Sequence, residues 1–113
     1  MSFWYNDFMN LTPGVNALYK KLLESMKSFG NVGVEEKKTS IHLTNRAAFV
    51  GVHPRKEYFI LNIVSDHPIT SSRINKTEQV SKSRFHNELK IEKKEDIDPE
   101  LVAWLKTAYE LMK

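Results

Sequence analysis

The stretch KTSIHLTNRAAFVGVHPRKEYFILNIV, residues 38–64, decides the fold, because apolar and polar side chains alternate along it between short groups of turn residues. Thr44-Asn45-Arg46-Ala47 reads as one hairpin connection and Pro54-Arg55-Lys56-Glu57 as the next, each closing on a two-residue loop. That register sets Ile41 beside Val50, Leu43 beside Ala48, Val52 beside Phe59 and Val50 beside Leu61. Side chains of a strand alternate with period two, so these residues share one face. The other face then carries Lys38, Ser40, His42, Phe49, Gly51, His53, Tyr58, Ile60 and Asn62. One side is an ordinary core; the other is basic and aromatic.

Working outward, the flanks are helical. Thr12-Pro13 reads as an N-cap followed by proline in the first turn, where its missing N–H costs nothing. Val15, Leu18, Tyr19, Leu22, Leu23, Met26 and Phe29 follow at helical spacing, and Gly30 stands where a left-handed C-cap belongs. Asp98-Pro99 repeats the start signal, and Leu101, Trp104, Leu105, Ala108 and Met112 form the apolar stripe of a last helix, with Tyr109 at its margin. Strands are expected over 32–37, 38–44, 47–53 and 58–65, with Lys37-Lys38 as a turn or a bend. A final strand carries Phe85, Asn87, Leu89 and Ile91 on one side and Arg84, His86 and Glu88 on the other. Residues 69–83 are polar and read as a loop with a short helix that crosses a sheet edge. The order α-β-β-β-β-(α)-β-α gives a two-layer α+β domain: an antiparallel sheet of about five strands with both terminal helices on one face. Residues 1–10 form an aromatic tail (Phe3, Trp4, Tyr5, Phe8) ahead of a single domain over 11–113.

Composition narrows the function classes. With 41% hydrophobic and 27% charged residues the chain is globular rather than disordered. The net charge of +3 is too mild for a dedicated duplex binder, and the basic residues of the second half, such as Lys82, Lys90 and Lys94, are interrupted by Glu78, Glu88, Glu92 and Glu95. No cysteine is present, which removes disulfides, thiolate zinc sites and cysteine nucleophiles together. No apolar run reaches the roughly 18 residues of a membrane span, and the N-terminus lacks a signal-peptide layout, so no membrane association and a cytoplasmic address are expected.

Three separated motifs carry a family resemblance. They are Lys38-Thr39-Ser40-Ile41 with Arg46-Ala47-Ala48-Phe49-Val50-Gly51-Val52-His53-Pro54-Arg55-Lys56, then Val80-Ser81-Lys82-Ser83-Arg84-Phe85-His86-Asn87-Glu88-Leu89-Lys90-Ile91, then Asp98-Pro99-Glu100-Leu101-Val102-Ala103-Trp104-Leu105-Lys106-Thr107-Ala108-Tyr109. In that order they resemble the bacterial family catalogued as domain of unknown function 5655, from about Leu11 to Lys113. The resemblance implies that such domains stand alone, behind a short zinc ribbon, or at the C-terminus of larger proteins described as predicted transport proteins or joined to nuclease-like domains. This chain lacks the cysteines of the zinc-ribbon form, so the resemblance carries over neither zinc nor nuclease chemistry. It implies no activity for the domain itself.

The candidate site is assembled from the polar face. Lys38, His53, Arg55, Tyr58, Arg84 and His86 form a ring of cationic donors around an aromatic floor if the last strand borders the meander. Gly51 in mid-strand marks close approach of a ligand or another backbone. Such a ring suits an anionic small molecule with a flat organic part, which arginine grips bidentately and lysine as a point charge. The same face also reads as the solvated side of an antiparallel sheet. Two other partner classes stay open: a second copy of the chain bound through the aromatic tail, and nucleic acid. His42, His53, His67 and His86 lack a short ligand spacing, so neither a metal nor another cofactor is expected. Ser40 with Lys38 and His53 has no aligned third group, and a non-enzymatic role is favoured.

Overall fold

Thr12 opens the first helix as anticipated: its side chain accepts from the Val15 N–H at 3.3 Å, and Pro13 begins α1, Pro13–Ser25. The computed structural model describes residues 11–113, so the aromatic segment 1–10, and any pairing through it, lie outside the described residues. A 3₁₀ turn over Lys27–Phe29 follows α1 and ends at Gly30, whose φ of 131° lies where side chains are rarely tolerated. A Cβ there would also stand 2.8 Å from the Tyr109 hydroxyl, which donates to the Asn31 carbonyl. Six strands come next: β1 Gly33–Glu36, β2 Ile41–Thr44, β3 Ala48–Pro54, β4 Phe59–Ser65, β5 Lys76–Ser81 and β6 Arg84–Ile91. The last helix, α2, runs Pro99–Leu111, with Asp98 accepting from the Leu101 N–H as its N-cap.

The strands form one antiparallel sheet in the order β1-β2-β3-β4-β6-β5. Ile41, Leu43, Val50, Val52, Leu61, Ile63, Leu89 and Ile91 face the two helices and bury with Val15, Leu18, Leu22, Leu101, Leu105 and Ala108 in a single core. The architecture is the expected α+β arrangement, with six strands rather than about five. The extra strand is β5, in the segment expected to be a loop with a short helix. Every residue of β5 is exposed, so no apolar alternation marks it in the sequence.

Two details of the central hairpins differ from the expected register. Ile41 pairs with Val52 and Leu43 with Val50, while Val52 pairs with Leu61 and Val50 with Ile63. Each pairing is displaced by two residues, which preserves the face of every paired side chain and changes its neighbours. The helix ends explain the displacement. The Asn45 side-chain amide and the Arg46 N–H donate to the Tyr109 and Met112 carbonyls at the C-terminus of α2, which requires a longer β2–β3 connection. At the other tip the Thr12 hydroxyl donates to the Lys56 carbonyl at 2.8 Å, and the turn closes where the Arg55 N–H donates to Tyr58.

Phe49 is the second correction. Alternation placed it on the polar face, yet it is fully buried and packs edge-on against Tyr109 with ring centroids 5.3 Å apart. A β-bulge opposite Leu43 and Thr44 causes this: Leu43 pairs with Val50 and Thr44 with Ala48, leaving Phe49 as the extra residue that turns inward. Lys38 is also displaced. It sits exposed in the β1–β2 turn, which closes where the Lys37 N–H donates to Ser40, rather than within a strand.

Arg73 anchors the long connection from β4 to β5. Its guanidinium donates to both Asp98 carboxylate oxygens at 3.0 and 3.1 Å, to Glu100 at 3.1 Å and to the Asp96 carbonyl at 2.7 Å. It also lies 5.7 Å from the centre of the Trp104 ring. The Leu101 N–H, and after it Arg73, holds the Asp98 carboxyl below its ordinary 3.8. A depressed carboxyl stabilises the fold above its unfolded pKa and loses that contribution as pH falls through the folded value. Arg73→Ala is therefore expected to cost about 1–2 kcal/mol at neutral pH, discounted for partial exposure. Urea titration should show that penalty shrinking once Asp98 is protonated.

Candidate functional site

On the face away from the helices, one cross-strand row runs His42, Gly51, Asn62, Glu88, Lys76. The next row runs His53, Ile60, Lys90, and on the other flank Val64, His86 and Glu78 lie side by side. Gly51 is the low point. A Cβ built on it would meet His53 Nε2 at 3.3 Å, His42 Cδ2 at 3.8 Å and Asn62 Cβ at 3.9 Å. The missing side chain thus opens a hollow of about 200 Å³ whose lining includes His42, His53, Asn62, Val64 and His86. A smaller dip of about 30 Å³ adjoins it through Asn62 and His86 and extends to Lys76, Glu78 and Glu88.

Partial burial, then the positive charge of Arg55, then His42, hold the His53 pKa below 6.5, against a weaker pull from Glu88. Near neutral pH His53 is therefore an uncharged imidazole with one donor and one acceptor nitrogen. Together with the Asn62 amide it offers a directional hydrogen-bonding surface rather than a block of positive charge.

The six nominated residues divide. His53 and His86 line the hollow from β3 and β6, on either side of β4. Arg55, in the β3–β4 turn, acts on His53 through its charge. Tyr58 lies across that turn, and its ring is covered by the Lys90 ammonium at 4.9 Å from the centroid. Lys38 is in the β1–β2 turn and does not line the hollow. Arg84 begins β6 two residues before His86, does not line the hollow, and donates to the Ser83 carbonyl. No ring of cations closes. His42 and Asn62 complete the hollow instead. Both were placed on this face, but the shifted register hid that they flank Gly51. Among the described residues, no group of three or more His, Asp or Glu side chains is placed to hold a metal ion.

A larger hollow, about 400 Å³, lies between the 67–70 loop and α2. Pro68, Ile69 and Trp104 supply much of its wall, and its polar groups are largely engaged. The Ser65 hydroxyl donates to the His67 carbonyl, the His67 ring bonds Asp66 and the Thr107 hydroxyl donates to Ala103. Sequence reasoning nominated nothing here, because it treated the loop as a crossing with no wall to form. Among the described residues, no helix is long and apolar enough to cross a membrane.

Neither the curated proteins nor the solved structures contain a significant match to this chain. One protein family does match, over residues 9–112, a span that takes in α1, α2, β1 to β6 and the Gly51 hollow. The chain belongs to that family, described as Domain of unknown function (DUF5655).

Proposed function

We propose that the chain is a small cytoplasmic binding module that takes an anionic molecule with a flat organic part in the Gly51 hollow. The observation that carries this reading is the absent side chain at position 51, with three imidazoles and an amide lining the space it leaves. A mid-strand glycine weakens a sheet, and its use here is accounted for by an occupant that needs the room. His42, His53 and His86 would donate to the anion, Asn62 would fix its orientation, and Arg55 would add positive potential from the rim. An incoming anion favours the protonated form of His53, so binding is coupled to proton uptake and tightens as pH falls from neutral toward the lowered pKa of His53.

Titration calorimetry with a panel of nucleotides and small carboxylates tests this, in buffers of different ionisation heat. The expected result is saturable binding with net proton uptake, weakened about tenfold by His53→Gln or His86→Gln, or ~1.4 kcal/mol. Gly51→Val, which fills the floor, should remove binding while leaving the circular dichroism of the sheet intact. Binding indifferent to all three substitutions, or no binding across the panel, sinks the proposal.

A further inference from the structure

We infer that β5 is a self-complementary edge through which two copies of this chain join their sheets, antiparallel, about a two-fold axis at Thr77. Among the described residues the strand is the last in the sheet order, has β6 as its only neighbour, and is exposed along its whole length. An edge of this kind presents unpaired backbone donors and acceptors to any strand that can lie beside it.

Its side chains select both the occupant and the register. Lys76 and Glu78 share the outer face, since they pair with Glu88 and His86, whereas Thr77 pairs with Asn87 on the core side. With Thr77 opposite its own copy, Lys76 of each chain lies opposite Glu78 of the other, giving two ion pairs. Centring the axis on Glu78 or on Lys76 sets like charges face to face, and centring it on Gln79 opposes Lys76 to Lys82. Of the registers centred on Lys76, Thr77, Glu78 and Gln79, only that on Thr77 sets unlike charges face to face. It also continues the alternation already present inside one chain, because Glu88 and Lys76 are cross-strand neighbours and the second copy adds Glu78 and then His86 to that row. The joined sheet keeps α1 and α2 of both copies on one side and both Gly51 hollows on the other, so this inference stands independently of what the hollow binds.

Sedimentation velocity on the full chain, at high micromolar concentration and low salt, is expected to show a dimer that dissociates as salt rises. Lys76→Glu alone and Glu78→Lys alone should each weaken the dimer at least tenfold. Mixing the two variants should restore a dimer, because every opposed pair is then of unlike charge, and the double reversal should also dimerise on its own. A monomeric wild-type protein overturns the inference. So does a dimer that survives both single reversals, or a mixture of the two that stays monomeric while each variant keeps its native circular dichroism.

Discussion

Phe49→Ala is expected to lower stability by about 3–5 kcal/mol, the cost of truncating a fully buried aromatic side chain in a close-packed core. For a domain of this size that corresponds to a fall in Tm of more than about 12 °C. The magnitude follows from what the ring supports. Phe49 meets Tyr109 edge-on at 87°, an arrangement that adds to the burial of area. Tyr109 in turn packs against Phe29 at 5.5 Å and donates to the Asn31 carbonyl, so it ties α2 to the segment that leads from α1 into β1. Removing Phe49 leaves a void beneath that tie which Ala48 and Val50, held in their own pairs, cannot fill. Phe49→Leu, which retains most of the volume, should cost less than half as much. Urea unfolding with an unchanged m-value is the measurement. A loss under 1 kcal/mol for Phe49→Ala would contradict the inward bulge and return Phe49 to the polar face that plain alternation assigns it.

Phe49 marks where the sequence stops being legible. Both helices could be read from Thr12-Pro13, Asp98-Pro99 and their apolar stripes, because capping and amphipathicity are local signals. The faces of β2, β3 and β4 could also be read, since period-two alternation survives any even displacement of register. The displacement itself could not. It depends on Asn45, Arg46 and Lys56 being held by the ends of helices that are remote in sequence. The same limit shaped the candidate site: His53 and His86 were found by parity, while the partnership of His42, Gly51 and Asn62 needed the true register. Arg84 was nominated because it shares a face with His86, and parity does not say which residues of a face line a hollow. Arg73 gave no signal at all, because a lone arginine in a polar loop is silent until Asp98, Glu100 and Trp104 are brought to it.

Asn87→Ala is expected to cost about 3 kcal/mol and, unlike the loss of Phe49, to act first on one edge of the sheet. Asn87 is fully buried on the core face of β6, where alternation calls for an apolar residue. Its amide nitrogen donates to the Ile63 carbonyl at 3.0 Å and to the Ser65 hydroxyl at 2.8 Å, while its oxygen accepts from the Ile69 N–H at 3.1 Å and the Thr77 hydroxyl at 3.2 Å. One side chain therefore joins β4, the loop after it and β5 to β6. Alanine would strip these partners of their bonds, and a buried polar group left unmade costs about 1–3 kcal/mol. Asn87→Asp should be worse, since a carboxylate cannot donate to Ile63 and Ser65 and its charge would be buried without a partner. Hydrogen exchange separates this role from simple packing: the Ile69 amide and the β5 amides should lose protection well before the β2–β3–β4 core does. If Asn87→Ala costs less than about 1 kcal/mol, or the β5 amides stay as protected as in the wild type, the edge strand is held by its ladder with β6 alone and the buried amide is dispensable.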